Sequence, residues 1–277
     1  MSRIASLHNK TKAVTDAELP YNPANRVVSA AELRRWLDDY GLCGRAGGDL
    51  SLYRTAFVHR SYCTMKNADF EAGNTRCPPG CLPLQEVSYE RLEFLGDAVL
   101  GMVVAAYLYE RYPDRDEGFL STMRTKIVNG RMLGALAEAL GFCPYAILSK
   151  QVEETQGRTN YKVGEDVLEA FIGALMVDAG HAAAATWITS VMETHIDFAD
   201  LICAKTNYKD QLARCMARAG DAPRFFERNV QTSGRTGQRV FDYCVKDAAG
   251  AVLASATGET RKQAENAAAK AALAAFA

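Results

Sequence analysis

The sequence predicts a multidomain chain in which an all-α domain is followed by a small α+β domain of order α-β-β-β-α. Three observations support this prediction. Two apolar stretches, Ala98–Tyr109 and Val167–Met176, have the composition of buried helices, and each adjoins acids at helical spacing. Three strand-like runs stand between two helical segments after residue 204. The balance of charge also changes sign between the two parts.

Length and charge agree with two domains of different chemistry. The chain has 277 residues, of which 48% are hydrophobic, enough for one sizeable helical core and a second small one. From Ala204 onward there are 12 lysines and arginines against seven acids, whereas the preceding part has 20 against 26. The net charge of −1 therefore hides a basic module beside an acidic one, a pattern that favours a nucleic-acid partner.

The N-terminal region, residues 1–29, contains Pro20 and Pro23 and shows little apolar periodicity, so we expect a flexible extension. Its first ten residues have no apolar core of the kind that a signal peptide needs. The longest apolar run, Ala98–Tyr109, is shorter than the ~20 residues that cross a bilayer. We therefore expect a soluble intracellular protein without a membrane partner, either cytoplasmic or nuclear.

Five acids in two stretches are the candidate functional residues. Glu90, Glu93 and Asp97 have the spacing i, i+3, i+7, and Asp166 and Glu169 have the spacing i, i+3, so each set lies on one face of a helix. Such acids are most often a solvated helix face. The apolar neighbours on both helices instead predict burial, and buried carboxylates need a partner. Oxygen ligands suit a hard cation such as Mg²⁺. The natural substrate of such a metal site is a phosphodiester.

The stretch Tyr89–Leu100 resembles the conserved motif of the ribonuclease III endonuclease domain. The resemblance covers residues 30–200 and implies the all-α fold of that domain. An insertion at 63–88 is longer than the connection usual in the family, and with the N-terminal extension it favours a viral or eukaryotic-type member. Further segments resemble other helices of the same domain in the same order: Ala56–Tyr62, Glu117–Asn129, Leu136–Phe142 and Lys162–Leu175.

The resemblance assigns Glu93, Asp97, Asp166 and Glu169 to the metal site and Glu90 to an outer catalytic position. It implies Mg²⁺ as cofactor, with Mn²⁺ as a substitute, and metal-assisted hydrolysis by a bound water of lowered pKa. The implied activity is that of a double-stranded-RNA-specific endoribonuclease. Its products carry a 5′-phosphate and a 3′-hydroxyl with short 3′ overhangs, and its role is RNA processing or degradation of duplex and small silencing RNA.

The resemblance also implies a homodimer, in which Phe94 enters the partner and two metal centres face opposite strands of one duplex. From the residues alone, Phe94 is equally well a plain core residue.

The C-terminal segment, residues 204–277, resembles a double-stranded-RNA-binding domain. Its closing stretch Thr260–Leu273 is rich in alanines that let helix and sheet pack closely. The family's RNA contacts map to Arg261, Lys262 and Lys270 for phosphates and to Gln211 for the minor groove. The loop after the first strand lacks the family's histidine, and Arg235 is the expected electrostatic substitute. The predicted strands are Arg224–Thr232, Gln238–Asp247 and Ala251–Gly258.

Several other polar residues admit two interpretations. We favour a hydrogen-bonded structural role for His59 over a ligand role, because oxygen ligands already complete the site. Cys77 and Cys81 suggest zinc, but a single Cys-x₃-Cys pair is weak evidence, and reduced thiols are the default. Four further residues are either RNA-phosphate contacts or solvated side chains: Arg91, Arg124, Lys126 and Asn129.

Two alternatives to an endonuclease remain at this point. One is a noncatalytic double-stranded-RNA-binding protein that sequesters duplex RNA, and the presence of all five acids argues against it. The other is a metal-dependent phosphohydrolase of small molecules, and the basic C-terminal module argues against it.

Overall fold

The computed structural model describes residues 20–66, 77–203, 208–218, 220–232 and 239–274. It divides the chain into two compact units, Met1–Leu201 and Ile202–Ala277. The described part of the first unit is helical, and the second unit combines a sheet with helices, so the predicted fold class is confirmed.

The core of the first unit is a cluster of aromatic side chains surrounded by helices. Trp36, Phe142, Phe171 and Trp187 are each at most 2% exposed, and their rings contact one another. Polar side chains cap the starts of several helices by accepting otherwise unpaired N–H groups; Asn160 accepts the N–H of Lys162 in this way at the start of the helix Tyr161–His195. The helices are α1 (Ala30–Asp38), α2 (Leu50–Thr55), α3 (Glu90–Arg111), α4 (Glu117–Ile127), α5 (Gly130–Ala139), α6 (Lys150–Glu154), α7 (Tyr161–His195) and α8 (Phe198–Cys203).

Helices α3 and α7 pack against each other through two glycines. A Cβ atom added at Gly96 would overlap the carbonyl oxygen of Glu169, and one added at Gly173 would overlap the carbonyl oxygen of Leu92. The two main chains are therefore in direct contact. This contact lies beside the acids of both helices and brings their side chains together.

These two helices also have the length and apolar composition that a membrane span requires. The apolar run that looked too short in the sequence extends into a helix of 22 residues, because charged residues at both ends continue it. In this fold α3 and α7 are each other's packing partners in the core. Helix α7 is moreover interrupted at Gly180, whose φ of 80° and ψ of 177° are not helical.

The N-terminal segment from Pro20 to Val28 packs on the first unit. Tyr21 and Asn22 are buried, and the Asn22 side-chain amide donates to the Leu148 carbonyl (3.2 Å) and to Glu153 Oε2 (2.9 Å). This part of the expected flexible extension is therefore held in place by hydrogen bonds and apolar contacts. Residues 1–19 lie outside the described part of the chain.

The two ends of the insertion at 63–88 are fixed to the first unit. The Tyr62 hydroxyl donates to the Leu82 carbonyl at 2.7 Å, and the Thr64 N–H donates to the Gln85 carbonyl at 2.9 Å. Residues 67–76 lie outside the described residues. Within the described residues Cys77 and Cys81 form no disulfide, and Cys77 Sγ lies 3.4 Å from the Cys81 carbonyl oxygen.

The second unit is a three-stranded antiparallel sheet whose strands are neighbours in chain order, and helices pack against it. Leu212, Met216 and Val245 form its core with the small side chains of Ala268 and Ala272, which allow the close helix–sheet packing that was predicted. Thr260 and Gln263 form a capping box at the start of the last helix. The elements are α9 (Tyr208–Ala217), β1 (Arg224–Thr232), β2 (Arg239–Lys246), β3 (Val252–Gly258) and α10 (Arg261–Leu273).

Candidate active site

Three of the five predicted acids converge between α3 and α7. Glu93 comes from α3 and Asp166 and Glu169 from α7, and one oxygen of each carboxylate lies within 4.8 Å of the others. We call these three residues the acidic cluster. Their spacing suits a metal ion, and their oxygen-only donor set suits a hard cation.

Asp166 has a different partner at each of its two carboxylate oxygens. The Tyr89 hydroxyl donates to its Oδ2 at 2.9 Å. Its Oδ1 is buried and has no hydrogen-bond partner among the described residues; it contacts Lys162 Nζ at 2.9 Å as an ion pair. A buried carboxylate oxygen needs positive charge beside it, which Lys162 supplies here and which a bound cation also supplies. The acidic cluster therefore fits a bound cation.

Glu169 is the most buried acid, with 6% of its surface exposed. Burial, followed by the negative charges of Asp97 and Glu165, raises the pKa of Glu169 to about 8. Burial and then the charge of Asp166 also raise the pKa of Glu93. Burial and the neighbouring acids thus disfavour the ionised form of both carboxylates, and a bound cation would favour it.

The remaining two predicted acids lie outside the acidic cluster. Asp97 is exposed on α3 and contributes its charge to Glu169 rather than a cluster oxygen. Glu90, at the start of α3, lies 3.4 Å from Arg60 Nη1 and accepts from Ser88 Oγ at 3.1 Å. In this structure the spacing i, i+3, i+7 therefore brings one of the three α3 acids to the α7 pair.

Sequence reasoning missed three residues of this site: Tyr89, Lys162 and Glu165. Lys162 lies 3.2 Å from Glu165 and 2.9 Å from Asp166. Burial opposes its charged form, but the close contacts with Asp166 and Glu165 and their negative charges raise the pKa of Lys162 overall. Its position four residues before Asp166, on the same face of a helix, was the available signal.

The other polar candidates of this unit have local roles. His59 Nδ1 lies 2.8 Å from Ser61 Oγ, as expected of a hydrogen-bonded structural histidine, and burial lowers the pKa of His59. Lys126 Nζ donates to the Leu201 carbonyl at 2.7 Å, and Asn129 caps α5. Arg91 and Arg124 are exposed.

Phe94 is 82% exposed on α3, so the interpretation as a core residue of its own unit is wrong. Met102 and Tyr109, at 52% and 73% exposure, continue an apolar stripe along the same helix. A pocket of 420 Å³ lies nearby, lined in part by Val87, Leu95 and Val177. Exposed apolar surface of this extent is typical of a protein–protein interface.

The predicted RNA-binding residues of the second unit are spread over two helices. Arg261 lies 3.4 Å from Glu227 and over the Phe241 ring, and Lys270 Nζ lies over the Tyr208 ring at 5.3 Å. Lys262 is exposed at the start of α10, and Gln211 is half-buried on α9. Arg235 lies outside the described residues.

Comparison with known proteins agrees with both units. Residues 49–195 match the family described as Ribonuclease-III-like, and residues 208–275 match the double-stranded RNA binding motif. Protein A464R of Paramecium bursaria Chlorella virus 1 is 36% identical over 226 residues, which are 81% of this chain and 73% of the viral protein. Ribonuclease 3 of Listeria welshimeri is 36% identical over 222 residues, which are 80% of this chain and 89% of the bacterial one.

Among solved structures, the nuclease domain of ribonuclease III from Campylobacter jejuni has 27% identity and a TM-score of 0.49, covering 61% of this chain and 99% of that one. The family match spans more than half of the chain, and the Listeria relative is matched over most of its length. The chain therefore belongs to the ribonuclease III family, with a double-stranded RNA binding motif after its nuclease domain.

Proposed function

We propose that this protein is a metal-dependent endonuclease that hydrolyses phosphodiester bonds of double-stranded RNA. The observation that supports it most directly is the acidic cluster, in which one oxygen from each of three carboxylates on two helices lies within 4.8 Å of the others. The double-stranded RNA binding motif supplies the complementary basic module. We further propose products with a 5′-phosphate and a 3′-hydroxyl and short 3′ overhangs, in RNA processing or in degradation of duplex and small silencing RNA.

Mg²⁺ is the proposed cofactor, with Mn²⁺ as a substitute, and Glu93, Asp97, Asp166 and Glu169 are its proposed ligands. When bound, such an ion supplies an activated water and charge stabilisation for the leaving oxygen. Asp166 and Glu169 hold the α7 side of the site, and Glu93 holds the α3 side. Asp97 is near enough to affect Glu169 electrostatically, which supports its inclusion. Glu90 is proposed as the outer catalytic acid.

We propose that RNA binding by the second unit uses Lys262, Arg261, Lys270 and Gln211, with Arg235 in the loop. The exposed position of Lys262 in the first turn of α10 suits a phosphate contact. Arg261 exchanges its ion pair with Glu227 for a phosphate when RNA binds.

We also propose a homodimer in which Phe94 of one copy enters the pocket beside Val87 and Leu95 of the other. Phe94 is 82% exposed within the apolar stripe, and the 420 Å³ pocket lies on the same unit. Each copy therefore offers both the side chain that enters and the pocket that receives it, as a twofold contact requires. Such an arrangement places two acidic clusters on one duplex.

The test is cleavage of a long RNA duplex by the purified chain with Mg²⁺ and with EDTA. We expect cutting in Mg²⁺, none in EDTA, and a loss of at least about 100-fold in Glu169→Ala and Asp97→Asn, because both remove a proposed ligand. Binding without cutting would make the protein a noncatalytic duplex binder. Metal-independent cutting, or full activity in both variants, would refute the metal site.

A further inference from the structure

Tyr89 connects the two helices that supply the acidic cluster. It stands immediately before α3, and its carbonyl accepts the N–H groups of Leu92 (2.8 Å) and Glu93 (2.9 Å), so its main chain is part of the first turn that carries Glu93. Its hydroxyl reaches α7 and donates to Asp166 Oδ2 at 2.9 Å. One residue thereby joins Glu93 to the acid on the opposite helix.

The Tyr89 side chain is itself firmly placed. It is 2% exposed, its N–H donates to the Val58 carbonyl at 2.8 Å, and its ring meets the His59 ring edge-on at 5.7 Å between centroids. A fixed donor of this kind determines the rotation of the carboxylate that accepts from it.

We infer that Tyr89 is a positioning residue of the metal centre: by donating to Oδ2, its hydroxyl fixes the rotation of the Asp166 carboxylate and keeps Oδ1, which otherwise contacts Lys162, in position to bind the ion. Without that hydroxyl, Oδ2 loses its donor, and the carboxylate can turn to pair fully with Lys162, whose Nζ is already 2.9 Å from Oδ1. The inference rests on the proposed metal-dependent function, since the orientation of the Asp166 carboxylate matters only if that carboxylate holds a cation.

The chain contains a matched control for this interaction. Tyr53 is also buried, and its hydroxyl donates at 3.0 Å to Oδ2 of Asp178, which lies on α7 like Asp166. Asp178 additionally accepts from the Gly47 N–H at 2.6 Å and lies outside the acidic cluster. Tyr53→Phe therefore removes the same hydroxyl from the same kind of pair at a position remote from the proposed ligands.

The experiment compares the full-length wild type, Tyr89→Phe and Tyr53→Phe in two assays. Binding of Mn²⁺ alone is measured from the loss of the free-ion signal in electron paramagnetic resonance, and cutting of duplex RNA is titrated with Mg²⁺. We expect Tyr89→Phe to weaken Mn²⁺ binding and to raise the half-saturating Mg²⁺ concentration by about 10- to 100-fold, as for other partners of metal ligands. Tyr53→Phe keeps wild-type values in both assays.

Thermal melts distinguish a folding defect from a positioning defect. Both phenylalanine variants lose one buried hydrogen bond, and all assays are run well below the melting midpoint of each variant. Wild-type Mn²⁺ affinity in Tyr89→Phe, or equal weakening in Tyr53→Phe, overturns the positioning role. If the wild type binds Mn²⁺ but cuts no RNA while Tyr89→Phe binds Mn²⁺ more weakly, the endonuclease proposal fails and the positioning role stands.

Discussion

Replacing Glu169 with glutamine is expected to stabilise the metal-free nuclease domain, residues Met1–Leu201, at neutral and alkaline pH. Burial and neighbouring acids raise the pKa of Glu169 to about 8, against an ordinary value of 4.5 for an unfolded chain. Between pH 4.5 and about pH 8, Glu169 holds a proton in the folded protein that it has released in the unfolded chain. The free energy of unfolding therefore falls as the pH rises through this window. Below and above that window the contribution of Glu169 is constant.

The magnitude follows from the width of this window. From 4.5 to pH 7, at about 1.4 kcal/mol per pH unit, the wild type loses roughly 3 kcal/mol of stability through Glu169. Glutamine has nearly the same shape and does not ionise, so Glu169→Gln lacks this loss. Bound Mg²⁺ should restore the wild type by compensating the ionised carboxylate, and should have a much smaller effect on the variant.

Urea unfolding in EDTA, followed by tryptophan fluorescence between about pH 5 and pH 8, measures the effect. The chain has two tryptophans, Trp36 and Trp187, and both are buried in the nuclease domain, so the signal reports that domain alone. Glu154→Gln, at an exposed position on α6, is the matched control and should keep the wild-type pH dependence. The reasoning is refuted if Glu169→Gln shows the same decline with pH as the wild type, or is less stable at pH 7.

Three further substitutions test the packing, the dimer and the RNA contacts. Gly173→Ala should destabilise the nuclease domain by about 1–3 kcal/mol or more in the same urea assay, because the added Cβ would overlap the Leu92 carbonyl. Gly101→Ala is the control, since a Cβ added there meets no described atom within 4 Å. Phe94→Asp should convert the dimer to a monomer in sedimentation velocity without changing the circular dichroism, and an unchanged dimer would contradict the proposed interface. Lys262→Ala should weaken duplex binding and reduce the slope of log affinity against log salt by about one, and an unchanged slope would show that Lys262 does not contact a phosphate.

The sequence predicted which acids each helix contributes to the site better than it predicted which of these acids come together. The i, i+3 spacing correctly indicates that Asp166 and Glu169 share a face of α7, because that depends only on helix geometry. The approach of Glu93 depends on Gly96 and Gly173 packing against facing main chains, and a sequence does not show which glycines meet.

Other outcomes depended on tertiary contacts in the same way. Pro20 and Pro23 indicate an irregular backbone, but the burial of Asn22 arises from partners more than 120 residues away in the chain. Tyr89 lies within the motif that was recognised, yet its hydroxyl contact with Asp166 joins positions 77 residues apart. Short-range patterns predict local structure, and these long-range contacts follow only from the assembled fold.

The glycine contact between α3 and α7 also limits how this active site can be altered. Since main chain touches main chain at Gly96 and Gly173, no change of packing side chain can bring the two helices closer. The width of the gap between the carboxylates is then adjustable only through the ligands themselves, by exchanging aspartate and glutamate. Attempts to retune the site for a larger or smaller ion should therefore begin with Asp166→Glu or Glu93→Asp rather than with the hydrophobic core.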